Sequence, residues 1–227
     1  VTNMHLLPNF GMSINEIKKE GFKVSDKIHM SIDGYDHFTM TKSMGVLHQS
    51  FTDVVLRTRP DWIVIAGDRA ETLIASIVGA YTYTPVAHIQ AGELSGNIDG
   101  LARHAIGKFS NLHFCSNEDA KKRLLRLGEQ KFRVYNFGAP QLDDIKKVNN
   151  KIKNKKIFKK IFKKDLLIVS QHPVTEEFNQ VELQIKKTIS ALNKFDRFNI
   201  VFILPNNDAG HLSIRNQIIK NRKDNTW

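Results

Sequence analysis

Cysteine is nearly missing from this chain: Cys115 is the single one in 227 residues. That excludes an internal disulfide framework and any cysteine-cluster metal site, and it fits a reducing compartment, most simply the cytoplasm. No uninterrupted apolar run approaches the roughly 18 residues needed to span a bilayer. The opening Val-Thr-Asn-Met-His is not a signal peptide. Neither a Gly-x-Gly-x-x-Gly nor a Walker A loop occurs, so hydride transfer and ATP hydrolysis lack their signatures. The missing His-x-x-x-His pairs and compact acidic clusters argue against a metal. Zinc-finger spacing and basic–aromatic interleaving are absent as well, which leaves nucleic acid little support.

Acid is missing from one stretch in particular. Residues 146–164 hold ten lysines and no carboxylate. The net charge of +11 points first to a polyanion or an anionic membrane surface. Those ten lysines carry nearly all of it, leaving the other residues at about +1. Ile157, Phe158, Ile161 and Phe162 fall at i, i+1, i+4 and i+5, which predicts a surface helix with one apolar stripe under a solvated lysine face. A helix between two domains is the expectation. A membrane-surface or nucleic-acid helix is the alternative.

On either side of that run, short β-rich segments alternate with longer helical ones. Residues 62–66 (Trp-Ile-Val-Ile-Ala) read as a parallel strand covered on both faces. A helix over 69–81, a strand over 86–89, a helix from about 100 to 109 and a strand over 112–115 follow. Ser116 or Asn117 is placed to cap a helix over 118–127, and a strand over 132–137 closes at Gly138-Ala139-Pro140. Upstream, residues 40–57 form a long amphipathic helix. After the lysines come a strand over 166–170, a helix over 176–193, a strand over 199–204 and a last helix. This alternation predicts an α/β protein of two Rossmann-like domains, residues 1–145 and 165–227, joined by 146–164. The second set has too few units for a complete sheet.

Such sheets bind ligands beyond the carboxyl ends of their strands, which singles out Asp68, the stretch 88–99, 138–140, 171–175 and 206–210. The densest constellation runs from His88 through Glu93 and Asp99 to Arg103 and His104. Asp99 is placed to cap the helix that carries Arg103 on the same face. Glu93 lies in a glycine-flanked loop open to a ligand. Carboxylates of unequal burial supply the pair of protonation states that acid–base chemistry needs. On the bland reading Asp99 only caps, Glu93 is a solvated loop acid, His88 is a core histidine and Asp68 is a helix cap. His172, in a strand-to-helix turn, is placed to face phosphate oxygens. Asn207 and Asp208 sit one unit later.

These motifs resemble the hydrolysing sugar-nucleotide 2-epimerases. The likeness is carried by Gly67-Asp68-Arg69-x-Glu71, His88-Ile-Gln90-Ala-Gly-Glu93-x-Ser-Gly96-x-Ile-Asp99, Arg103-His104-Ala-Ile-x-Lys108, Gly138-Ala-Pro140, Gln171-His-Pro-Val-Thr175 and Pro205-Asn-Asn-Asp-Ala-Gly210. The resemblance implies a GT-B-like pair of Rossmann domains with a nucleotide sugar in the cleft between them. It also implies elimination of UDP from UDP-N-acetylglucosamine across C1–C2 to a glycal, then hydration to N-acetylmannosamine. By match to the family's motifs, Asp68 and Asp99 stand at acidic positions implicated in catalysis, His5 resembles a histidine near the sugar and His172 one near the diphosphate. Glu93 is the third catalytic candidate, and Arg69, His88, Gln90, Arg103, His104, Asn207 and Asp208 join His5 and His172 as candidate substrate contacts. No cofactor or metal, no nucleic acid and no membrane partner are expected, and the full-length form is expected to be a homo-oligomer, dimer or tetramer. Many members have Glu where this chain has Gln90, which cannot shuttle a proton. Either Glu93 bears more of the chemistry, or the substrate is a related one, such as a UDP-linked diacetamido sugar or a GDP-linked N-acetylglucosamine. Family members run longer, so the first domain is expected to lack its opening strand and the second to be truncated. A non-hydrolysing 2-epimerase and a non-catalytic nucleotide-sugar-binding fragment are the alternatives.

Overall fold

Branched aliphatic runs bounded by glycine and polar turns become the strands. A computed structural model describes residues 1–33, 36–151 and 164–222. Its contacts divide the chain into two units, Val1–Ile32 with Thr41–Asp144, and Asp33–Met40 with Ile145–Trp227.

In the first unit, four strands form a parallel sheet in chain order: β1 (Ile63–Ala66), β2 (Val86–Ile89), β3 (Leu112–Cys115) and β4 (Val134–Asn136). The crossovers are α3 (Ala70–Tyr81), α4 (Ile98–Phe109) and α5 (Glu118–Arg126). Two helices precede β1, a short α1 (Ile14–Lys19) and the long α2 (His37–Thr58). Because strand order never reverses from β1 to β4, right-handed crossovers put α3, α4 and α5 on the same face. Register then sorts the side chains. Ile63, Ile65, Val86, His88, His113, Cys115 and Val134 face the helices. Ile74, Val78 and Ile106, with Leu47 and Val55 of α2, close one part of that core, and Ala120 and Leu124 the other.

The opposite face carries Val64, Ala66, Ala87, Ile89, Leu112, Phe114 and Tyr135. It is apolar throughout, yet Val64 is 64% and nearby Phe137 76% exposed. The expectation of a doubly covered strand is therefore corrected: among the described residues, β1 is packed on one side only. Phe114, Tyr135 and Phe137 instead stack on one another, with centroids 5.7–5.9 Å apart.

Local chemistry accounts for the element ends. Asn117 caps α5, its Oδ1 accepting from the Ala120 N–H at 2.8 Å. Asp99 does not cap α4 as expected. Asn97 is the extended residue before the helix, and Asp99 lies in the first turn, where a carboxylate still favours the helix N-terminus. Residues 132–137 divide into a 3₁₀ turn (Lys131–Arg133) and the shorter β4.

The second unit holds a parallel pair, β5 (Asp165–Ser170) and β6 (Phe198–Ile203). α6 (Gln141–Lys151) leads toward it, α7 (Val181–Leu192) links its two strands, and α8 (His211–Lys220) follows β6. Its core is Val181, Ile185, Ile189, Ile214 and Ile218. The single helix expected over 176–193 is in fact a 3₁₀ segment, Thr175–Gln180, kinked at Glu177, which is off helical geometry, and followed by α7. Ile157, Phe158, Ile161 and Phe162 of the lysine-rich stretch lie outside the described residues.

Candidate functional site

The carboxyl ends of β1 and β2 carry the acids. β1 ends in Gly67, whose φ of +81° suits glycine, and the next residue is Asp68. β2 ends in a turn with Gln90 at φ +62° and Gly92 at +77°. A side chain at Gly92 would stand 2.5 Å from the Ala120 carbonyl oxygen, so only glycine fits there. Gln90 has no such relief. Its left-handed backbone costs about 1 kcal/mol, and the carbonyl it presents is taken by Arg103 Nη1 at 2.7 Å.

Arg103, on the second turn of α4, gathers the site. Nη2 pairs with Asp68 Oδ2, and Nη1 lies 3.4 Å from Glu93 Oε2. The arginine side chain is 8% exposed, Asp68 18% and Glu93 30%. One cation thus holds two acids of unequal burial, with the more buried one also accepting from Ser95 Oγ at 3.4 Å. Asp99 accepts from Asn97 Nδ2 at 3.1 Å at the helix start. Gly100 lets the Ser95 carbonyl approach α4 closely, since a Cβ there would meet that oxygen at 2.5 Å.

His88 is fully enclosed. Its Nε2–H donates to the Gly67 carbonyl at 2.7 Å, and burial lowers its pKa to about 4. His104 is half-buried on α4, its Nδ1 without a partner among the described residues. Arg69 Nε lies 3.4 Å from Glu71 Oε2. Glu71 in turn accepts from Asn3 Nδ2, and Ser31 Oγ donates to Asn3 Oδ1 at 2.8 Å. Exposed His5 pairs with Ser13 Oγ at 2.7 Å.

The first unit therefore brings Asp68, Glu93, Gln90 and Arg103 into direct contact, with Asp99 at the start of the same α4. In the second unit, exposed His172 lies 3.4 Å from Ser170 Oγ. Asn207 and Asp208 occupy the turn before α8, where the Asp208 N–H donates to Asn206 Oδ1 at 3.2 Å and His211 is bonded to the Asp208 carbonyl at 2.9 Å. Ser95 and Asn97 bond to the acids Asp68 and Asp99, and Asn3 and Glu71 bond near Arg69, although none of the four was given a site role from sequence. Ser95 and Asn97 lie inside the acid-rich stretch and could have been found there. Asn3 sits 68 residues from Glu71, and no local pattern links them.

Among the described residues, no cluster of three or more His, Cys, Asp or Glu side chains could hold a metal, and no helix is long and apolar enough to cross a membrane.

Residues 1–226 match the sequence profile described as UDP-N-acetylglucosamine 2-epimerase. The chain belongs to this family. A relative from Campylobacter jejuni, named GDP/UDP-N,N'-diacetylbacillosamine 2-epimerase (hydrolyzing), is 37% identical over 97% of this chain and 58% of its own length. The Legionella pneumophila UDP-N,N'-diacetylbacillosamine 2-epimerase (hydrolyzing) is 34% identical over 96% of this chain and 58% of its own. The chain thus spans little more than half the length of these family members. The family fold is matched in the crystal structure of the Neisseria meningitidis UDP-GlcNAc 2-epimerase bound to UDP-GlcNAc, at a TM-score of 0.74, 20% identity, and coverage of 95% of this chain and 60% of that one. The expected GT-B-like α/β architecture therefore holds.

Proposed function

We propose that this chain is part of a hydrolysing sugar-nucleotide 2-epimerase acting on a UDP-linked acetamido sugar, either UDP-N-acetylglucosamine or a diacetamido relative of it. The observation that carries this is the Arg103 clamp, which holds Asp68 and Glu93 side by side at adjacent strand ends, with Asp99 at the start of the same helix. The two relatives named as hydrolyzing epimerases support the same reading.

In the first stage the C1–O bond to the diphosphate breaks and a carboxylate takes the C2 proton, giving a glycal and the nucleoside diphosphate. The C2–H is weakly acidic, so leaving-group departure runs ahead and positive charge builds at C1. Asp68 is suited to stabilise that charge and take the proton, in a site where Arg103 fixes its geometry. In the second stage water adds across the double bond: hydroxyl goes to C1 and a proton returns to C2 on the opposite face. Glu93, the more exposed acid, handles the water together with Asp99. Gln90, which does not titrate, is left to hydrogen-bond the sugar. His5, Arg69, His104, His172, Asn207 and Asp208 are assigned to substrate contact. The reading includes a cytoplasmic enzyme, homo-oligomeric at full length, that supplies sugars of the sialic-acid type.

The 227-residue chain alone is expected to show little or no turnover, so incubation of a full-length form with each UDP-sugar in D₂O, followed by NMR of the products, tests the assignment. Free 2-epimer deuterated at C2, together with UDP, is the expected outcome. An epimer still joined to UDP would mean a non-hydrolysing enzyme, and binding without turnover would mean a non-catalytic protein.

A further inference from the structure

We propose that His88 is a positioning residue for the acid site, acting on Asp68 through the Gly67 carbonyl. The inference rests on the function proposed above and concerns a residue that touches none of the reacting atoms. β2 takes both polar groups of Gly67. The Gly67 N–H donates to the Ile89 carbonyl at 3.0 Å, and its own carbonyl accepts from His88 Nε2 at 2.7 Å. Gly67 stands at φ +81°, and a Cβ there would meet only Gln90 Oε1, at 4.0 Å, so sterics do not hold this turn. Two hydrogen bonds from the neighbouring strand do.

The Gly67 carbonyl and the Asp68 N–H belong to one planar peptide. Fixing the carbonyl fixes the orientation in which Asp68 leaves the strand. Ser95 and Arg103 hold the carboxylate end of the same residue. Asp68 is thus held at both ends, and His88 supplies the backbone end.

The chemistry of the ring agrees with that role. A carbonyl only accepts, so Nε2 carries the proton and Nδ1 does not. Nδ1 is buried without a partner among the described residues. A second proton there would leave an enclosed cation beside His113, with Arg103 nearby as another positive charge and only Asp68 opposing them. His88 therefore presents one fixed tautomer and a constant donor through the neutral range, which suits a support and not a proton shuttle.

The test uses the 227-residue chain labelled with ¹⁵N-histidine and ¹³Cγ-aspartate. Wild type should show His88 as the Nε2–H tautomer, unchanged between about pH 5.5 and 8. His88→Leu, which removes the donor, should shift the Asp68 carboxyl resonance and, in a full-length form, lower kcat about tenfold or more, with KM within about threefold. His88→Gln, which keeps an N–H donor at similar reach, should return both toward wild type. Should His88→Leu fail to fold, His88→Asn takes its place, its amide being too short to reach Gly67. An Nδ1–H tautomer, or an unmoved Asp68 resonance in the donor-free variant, would overturn the proposal. Absence of wild-type turnover in a full-length form would count against the function proposed above, while the tautomer and resonance still judge His88.

Discussion

Arg103 and Asp68 are 35 residues apart in sequence and joined in space, a buried guanidinium on α4 against a carboxylate at the end of β1. The same guanidinium also takes the Gln90 carbonyl and approaches Glu93. One side chain therefore ties the ends of two strands to a helix.

Replacing Arg103 by Met should cost about 2–4 kcal/mol, because it strands two carboxylates whose partner was nearly buried. Arg103→Lys should recover part of the stability and little of the activity, since a single ammonium cannot hold both acids and the carbonyl in one plane. Urea denaturation read beside turnover checks both. Equal stability in all three proteins would contradict the clamp.

Asp99→Asn keeps size and hydrogen-bonding reach while removing the charge. Turnover in a full-length form should fall by about 10²-fold or more if Asp99 is an acid–base group, while Tm moves by no more than a few degrees. Near-normal kcat would take Asp99 out of the mechanism.

Gly92→Ala combines a left-handed backbone with a Cβ only 2.5 Å from the Ala120 carbonyl. The loss should be on the order of 2–4 kcal/mol. Gly67→Ala, whose Cβ would meet only Gln90 Oε1 at an ordinary 4.0 Å, should lose only the φ > 0 penalty of roughly 1 kcal/mol. Thermal unfolding of the two variants should separate steric from conformational cost. Similar melting points would contradict the distinction.

Acid should weaken the first unit through His88. In the folded chain His88 stays neutral down to about pH 4, whereas the unfolded chain protonates it near 6.5. Above about pH 6.5 the ring is neutral in both states, so its titration costs no stability. As pH falls below that value the unfolded state binds the extra proton and stability declines, by up to roughly 3 kcal/mol near pH 4. Buried His113 is shifted in the same direction and adds to the slope. Denaturation curves at pH 7.5 and 4.5 should show the fall, and His88→Gln should make it smaller. An unchanged slope in that variant would remove His88 from the effect.

The sequence was most legible where one local cause decides the outcome. The apolar run of β1 became a strand, and the side chain of Asn117 caps α5 as its position before Glu118 suggests. The cap expected at Asp99 falls two residues earlier, because the start of α4 is decided by the extended backbone of Asn97 and by the close approach of Ser95 to Gly100. The break at Glu177 has no proline or glycine to announce it. At the site, the crowding of acids and basic residues between 88 and 104 was visible in the order of residues. That Arg103 would be their hub was not, because its partners come from two strand ends and a loop that only the folded sheet brings together.

The sheet face left open among the described residues bears on how the molecule behaves in the tube. Val64, Tyr135 and Phe137 present hydrocarbon and ring surface to water with no lysine or glutamate among them. Protein concentration and salt should therefore govern whether purified material stays dispersed. A single charge placed at Val64 would be a gentler remedy than any change near Asp68.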